Sequence, residues 1–172
     1  MVHSGRKPVL YIFGGLPGTG KSTLSRHLAL RIRAVHLRID TIEQALRDTG
    51  SLVSGPEGYV VAYRLAADNL RLGLDVIADS VNPIQVTRTA WKEVAKSAGV
   101  PFVEIEVVCS SETEHRNRVE TRVTEIEALQ MPTWNDVKNR TYETWNADVV
   151  IDTAGQTLDE SLAALERALA TR

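Results

Sequence analysis

The sequence predicts an α/β domain in which a parallel sheet carries helices on both faces, a three-layer α/β/α sandwich. Three observations predict it. Short apolar runs alternate with helical periods along the whole chain, Gly, Pro and Asn-Pro punctuation falls between them, and a glycine-rich turn joins the first run to the first helical stretch. The 172 residues fit one compact domain, 1–172, and 43% hydrophobic with 24% charged residues is ordinary globular usage.

The apolar runs are Val9–Phe13, Ala34–Ile39, Leu74–Ala78, Phe102–Cys109 and Val149–Ile151, each short enough for a strand of a covered sheet. Helices are expected between them over residues 21–32, 40–48, 57–72, 84–98, 111–122, 134–145 and 157–170. In the first, Leu24, Leu28 and Ile32 recur at helical spacing. Gly50, Gly55-Pro56, Asn82-Pro83, Gly99-Val100-Pro101, Met131-Pro132 and Gly155 stand where these elements start or stop. No internal repeat or low-complexity segment suggests a second domain.

Gly15-Leu16-Pro17-Gly18-Thr19-Gly20-Lys21-Ser22 satisfies G-x-x-x-x-G-K-[ST] at each fixed position, directly after Val9–Phe13. This is the phosphate-binding P-loop pattern. Its glycines let backbone N–H groups close around phosphate oxygens, Lys21 reaches the β- and γ-phosphates, and the Ser22 hydroxyl ligates Mg²⁺. The following helix adds the partial positive charge of its N-terminus, which extends the expected nucleotide contacts to Thr23. A base-reading Asn-Lys-x-Asp motif is missing, which disfavours guanine. ATP with Mg²⁺ is the expected cofactor.

In an open parallel sheet, ligands bind beyond the carboxyl ends of the strands. Asp40 follows the second run, where it either orients an attacking hydroxyl or caps the next helix with Glu43 three residues on. Asp79 follows the third run and suits the shell of a Mg²⁺ ion, although Asp79-Ser80-Val81-Asn82-Pro83 also reads as a turn. Arg118 and Arg122, four residues apart on an expected helix, can act as a pair on a base and on a transferring phosphoryl group, or simply face solvent among Glu112, Glu114, Glu120 and Glu125. A polar, irregular stretch up to Met131-Pro132-Thr133 suggests a lid over about 118–133. Trp134, Val137 and Thr141 share one helical face and are expected in the core; Arg140 suits a surface ion pair as well as an anionic substrate. Tyr59 and Tyr63, one turn apart, either flank the substrate or pack. Asp152-Thr153 closes the last strand as a tight exit loop beside a nucleotide base.

A net charge of −2 argues against a sequence-independent nucleic-acid binder. Cys109 is the one cysteine and, between apolar neighbours, is expected to be buried. Met1–Pro8 has no apolar signal core, no stretch reaches the length of a membrane span, and His3, His27, His36 and His115 have no metal-ligand spacing. These features point to a cytoplasmic protein with no membrane partner.

Through Gly15–Ser22, Asp40, Ala78-Asp79-Ser80-Val81-Asn82-Pro83, Arg118 with Arg122, and Trp134 to Thr153, the chain resembles the small P-loop kinases of the AAA_33-type group, relatives of gluconate kinase, shikimate kinase, adenylylsulfate kinase and the zeta toxins. The resemblance implies a P-loop NTPase fold with a five-stranded parallel sheet in the order 2-3-1-4-5 and a small lid. It implies catalytic roles for Lys21, Asp40 and Arg122, Mg²⁺ at Ser22 and Asp79, and Arg118, Asp152 and Thr153 near the nucleotide. The expected activity is transfer of the γ-phosphate of MgATP to a hydroxyl of a small-molecule acceptor by a monomer or homodimer. A 5′-hydroxyl polynucleotide end stays open as an acceptor, and a nucleotide-dependent ATPase switch is the alternative.

Overall fold

A computed structural model describes residues 6–171. His3 and the first five residues of the Met1–Pro8 segment lie outside the described residues. Five strands, β1 (Leu10–Gly14), β2 (Val35–Arg38), β3 (Val76–Asp79), β4 (Phe102–Val108) and β5 (Val149–Asp152), form one parallel sheet in the order β2-β3-β1-β4-β5. Among the described residues seven helices follow or separate them: α1 (Lys21–Ile32), α2 (Ile39–Asp48), α3 (Glu57–Arg71), α4 (Gln85–Ala98), α5 (Glu112–Thr121), α6 (Trp134–Lys138) and α7 (Leu158–Ala170). The fold class and strand order are those expected. Among the described residues no helix is long and apolar enough to cross a membrane.

β1 is the middle strand, bonded to β3 on one side and β4 on the other, and all five of its residues are buried. A strand covered on both faces tolerates no polar alternation, which is why its sequence is a continuous apolar run. Its side chains divide between two cores. Leu10 and Ile12 join Leu37, Val76, Ala66, Leu70 and Trp91 under α3 and α4, whereas Tyr11 and Phe13 join Leu24, Leu28, Val107, Leu162 and Leu165 under α1 and α7. Edge strand β5 alternates instead, with Val149 and Ile151 buried and Val150 exposed.

The expected helix over 134–145 is the main correction. A capping box between Thr133 and Asp136 starts α6, but it ends at Lys138, so Thr141 does not share a helical face with Trp134 and Val137. From there the chain runs to β5 as a strap, residues 139–148, without helix or strand, and its polar groups are used elsewhere. The wholly buried guanidinium of Arg88 donates to the carbonyls of Asn82 (2.9 Å), Glu143 (2.7 Å) and Thr144 (3.0 Å), and Glu143 N–H donates to Pro83 O at 2.8 Å. Trp145 then inserts into the first core, its Nε1 donating to Glu104 Oε1 at 3.2 Å. A helix through residue 145 would take the Glu143 N–H into its own ladder and carry Trp145 off the sheet.

Smaller differences concern boundaries. α5 stops at Thr121, leaving Arg122 extended just past its end. β2 passes straight into α2 without a loop, and Asp79 is the last residue of β3 rather than the first after it. Cys109 is half-buried, with its thiol 3.7 Å from Ser111 O, because it already lies beyond the end of β4.

Arg88→Met strips the strap of its donors and leaves buried carbonyls unsatisfied, so a loss of about 3 kcal/mol or more is expected. Urea denaturation of the two proteins measures it, and a loss below about 1 kcal/mol would show that the strap does not depend on Arg88.

Candidate active site

The carboxyl ends of β1, β2 and β3 open on a cleft of about 1170 Å³, lined by the phosphate loop, α2, residues 122–125 and 128–132, and Thr153. The loop between β1 and α1 takes its shape from what surrounds it. Gly15, at φ +144°, sits where a Cβ would lie 2.2 Å from Val107 O, and Gly18, at φ +88°, where a Cβ would lie 2.5 Å from Val119 Cγ2. Neither place admits a side chain. Three bonds pin the loop from behind: Gly15 N–H donates to Val81 O at 3.1 Å, the Thr153 hydroxyl to Thr19 O at 2.8 Å, and His115 Nε2 to Pro17 O at 2.8 Å. A carbonyl can only accept, so His115 carries its proton on Nε2. Leu16, Pro17, Gly18, Gly20, Lys21, Ser22 and Thr23 line the cleft, while Gly15 and Thr19 support it from beneath.

Lys21 is buried and forms an ion pair with Asp79, and its Nζ lies 3.3 Å from Ser22 Oγ. Asp79 is wholly enclosed below the lysine, with His36 Nε2 3.6 Å from its Oδ2. Burial by itself pushes the Asp79 carboxyl up, but the Lys21 ammonium and the neighbouring His36 outweigh burial and hold it well below the usual carboxylate range.

Asp40 lines the cleft two residues on from Arg38. It is not the helix cap: the cap position of α2 is Arg38, which makes no side-chain cap bond, and Asp40 lies inside the first turn. Arg122 lines the same end, half-buried, where burial and the charge of Arg38 work against its protonated form and Asp40 favours it. Arg118 lies nearer the loop, donating to Thr153 Oγ1 at 2.7 Å and Thr153 O at 2.9 Å and pairing with Glu114. Its guanidinium therefore fixes Thr153 in place. Asp152 points away from the cleft, accepting from Ser110 N–H and Ala154 N–H, each at 3.0 Å. Asn82 is also structural: fully buried at φ +48°, it donates to Phe13 O at 2.8 Å. Tyr59 and Tyr63 pack against the first core, and Arg140 lines the cleft from the exposed strap.

Residues 10–144 match the AAA_33 family, an AAA domain. The chain belongs to AAA_33. A probable adenylyl-sulfate kinase of Aeropyrum pernix is 24% identical over 168 residues, covering 92% of this chain and 91% of that one. Among solved structures, a gluconokinase from Sinorhizobium meliloti 1021 superimposes with a TM-score of 0.69 at 16% identity, covering 96% and 94% of the two chains. The Mycobacterium tuberculosis APS kinase in complex with AMPPNP and APS gives a TM-score of 0.66 at 19% identity, covering 95% and 98%. These likenesses establish the shared P-loop fold.

In this AAA_33 domain the fit to Mg²⁺ rests on two oxygen donors. Ser22 Oγ and the Asp79 carboxylate both contact Lys21 Nζ, which brings them to one point, and among the described residues Asp79 Oδ2 has no hydrogen-bond partner. Among the described residues no cluster of three His, Cys, Asp or Glu side chains could cage a metal. That donor set suits an ion that draws most of its ligands from phosphates and water.

Three residues at the site had no assigned part. Arg38 ends β2, so the rule of strand carboxyl ends already pointed at it. Arg26 Nη1 donates to both carboxylate oxygens of Glu125, each at 2.9 Å, tying α1 to the irregular segment. His115, whose contact with Pro17 spans 98 residues of sequence, left no local signal.

Asp79→Asn leaves Lys21 as an unpaired buried charge, at an expected loss of about 3 to 5 kcal/mol at pH 7. Because the folded-state carboxyl titrates below its unfolded value, the pair stabilises fully above about pH 4 and loses its effect as pH falls toward the folded value. Stability of the two proteins measured from pH 7 to pH 3 should therefore converge toward acid; a constant gap would contradict the pairing.

Proposed function

We propose that this protein is an ATP-dependent phosphotransferase that moves the γ-phosphoryl group of MgATP to a hydroxyl of a small-molecule acceptor. The observation that carries the reading is that Lys21, Ser22, Asp40 and Arg122 line one cleft. The names of the relatives, an adenylyl-sulfate kinase and a gluconokinase, support the same class. The domain spans 1–172, with about 118–133 acting as a lid, of which 122–133 is the irregular part. The protein works as a monomer or homodimer in the cytoplasm, where ATP is supplied.

The loop N–H groups and the N-terminus of α1 bind the β- and γ-phosphates, and Lys21 exchanges Asp79 for them. Ser22 and Asp79 would hold Mg²⁺, which would offset the charge of the phosphates. Arg118 and Thr153 border the nucleotide. Asp40 accepts a hydrogen bond from the acceptor hydroxyl and aligns its oxygen with the γ-phosphorus. As the new O–P bond forms, the bond from phosphorus to the β–γ bridging oxygen breaks. The hydroxyl proton passes to Asp40, ADP leaves, and Lys21 and Arg122 stabilise the charge on the transferring group. Segment 122–133 limits transfer to water.

Lys21→Ala should abolish MgATP turnover while the circular dichroism spectrum is kept, and retained turnover would remove the P-loop from the mechanism. Asp40→Asn should lower acceptor phosphorylation by about 10²-fold or more with ATP affinity nearly unchanged. Assays use ATP, Mg²⁺ and an acceptor panel with product detected by mass. Hydrolysis of ATP with no phosphorylated acceptor would favour an ATPase switch instead.

A further inference from the structure

We propose that His115 is a positioning residue for nucleotide: its bond to Pro17 O holds the Pro17–Gly18 peptide with Gly18 N–H turned away from α5, as a donor to the β- or γ-phosphate. The proposal rests on the nucleotide-binding part of the phosphotransfer reading and extends it to a residue behind the loop.

Residues 16–19 form a β-turn. Thr19 N–H donates to Leu16 O at 3.4 Å, and the Thr19 hydroxyl donates to the same carbonyl at 3.0 Å. Pro17, in the second position, has its φ fixed by its ring at about −65°, and Gly18, in the third, has φ +88°. That combination is a type II turn. Types I and II share the bond between first and fourth residues and differ by a half-turn of the central peptide. Pro17 suits both, and Gly18 has no side chain to choose between them. The orientation of this one peptide decides what the turn offers an anion, because C=O and N–H of a trans peptide point in opposite directions. With Pro17 O directed at His115, Gly18 N–H points to the opposite side, and both residues line the cleft. After a half-turn the carbonyl would stand there instead and repel a phosphate.

His115 makes the one bond that only the type II form accepts. The imidazole is buried, and its Cδ2 is 3.2 Å from where a Cβ at Gly18 would stand, so the ring packs directly under the turn. Helix α5 carries it from one side and Trp134 braces it edge-to-face from another, so it cannot follow a carbonyl that turns away. A flip of the peptide therefore strands a buried donor.

The test is calorimetric titration of the full chain with ADP, AMPPNP and AMP in the presence of Mg²⁺, using two variants that separate the donor from the ring. His115→Phe keeps a ring against Trp134 and removes the donor, whereas His115→Gln keeps an N–H donor of similar reach and removes the ring. In His115→Phe, ADP and AMPPNP should bind roughly tenfold more weakly, while AMP, which ends before the β-phosphate, keeps its affinity. His115→Gln should hold ADP within about threefold of the unaltered protein. Full ADP affinity in His115→Phe, an equal loss for AMP, or a loss in His115→Gln as large as in His115→Phe overturns the proposal. If His115→Phe does not fold, a crystal structure of the unaltered protein with ADP decides. Gly18 N–H on a phosphate oxygen with Pro17 O still on His115 supports the proposal, and any other orientation of that peptide overturns it. Failure of the phosphotransfer reading looks different: ADP and AMPPNP bind and ATP is hydrolysed, but no acceptor is phosphorylated, and the His115 titrations keep their meaning. No binding of ADP or AMPPNP by the unaltered protein overturns both.

Discussion

Everything at this site depends on the lack of room around the turn between β1 and α1. A Cβ at Gly14 would lie 2.2 Å from Trp145 Cζ3, at Gly15 the same distance from Val107 O, and at Gly18 2.5 Å from Val119 Cγ2. Three separate parts of the chain, the strap before β5, strand β4 and helix α5, thus press on five consecutive residues. The loop is shaped from outside, because the side away from the cleft is filled. The parallel order of the sheet makes this possible, since β1 lies between β3 and β4 and the turn leaves from its end. Arg88 belongs to the same construction, because its bonds to the strap hold Trp145 against Gly14.

Charge is distributed to match. The chain as a whole is slightly acidic, with a net charge of −2, yet cations gather at the cleft on the ends of rigid elements: Lys21 opens α1, Arg38 closes β2 and Arg118 lies in α5. Away from bulk water their fields are less screened, which raises the worth of each contact and also the cost of leaving one unmatched. Asp79 meets that cost for Lys21. In a buried lysine–carboxylate pair, both partners keep their ionised forms, and those are the forms a phosphate and a divalent cation require.

The fold was legible because its signals are local and periodic. β1 and β3 read as apolar runs since both faces of each are covered, and the phosphate loop is legible from eight consecutive residues. What was not legible depends on contacts distant in sequence. Trp134, Val137 and Thr141 have helical spacing, but Arg88, more than fifty residues before the strap, takes the carbonyls of Glu143 and Thr144, and Trp145 finds its place against Glu104 and Gly14. Asp40 lies where a cap would be expected, yet β2 runs into α2 one residue sooner and frees its carboxylate for the cleft. Asp152 ends a strand beside the site, but its oxygens close a local turn at Ser110 and Ala154. The ends of strands thus pointed to the right neighbourhood; which side chain turns inward was decided by packing.

His115 links the phosphate loop to an aromatic ring outside it. On one edge it donates to Pro17 O at 2.8 Å, and its ring meets that of Trp134 edge-to-face with centroids 5.1 Å apart. Trp134 is half-buried at the start of α6, whereas Trp91 and Trp145 are enclosed in the first core. Movement of Pro17 is therefore passed through one imidazole to an indole whose surroundings differ from those of the other two. The domain carries an intrinsic optical reporter on its phosphate loop, readable as tryptophan emission without any added label.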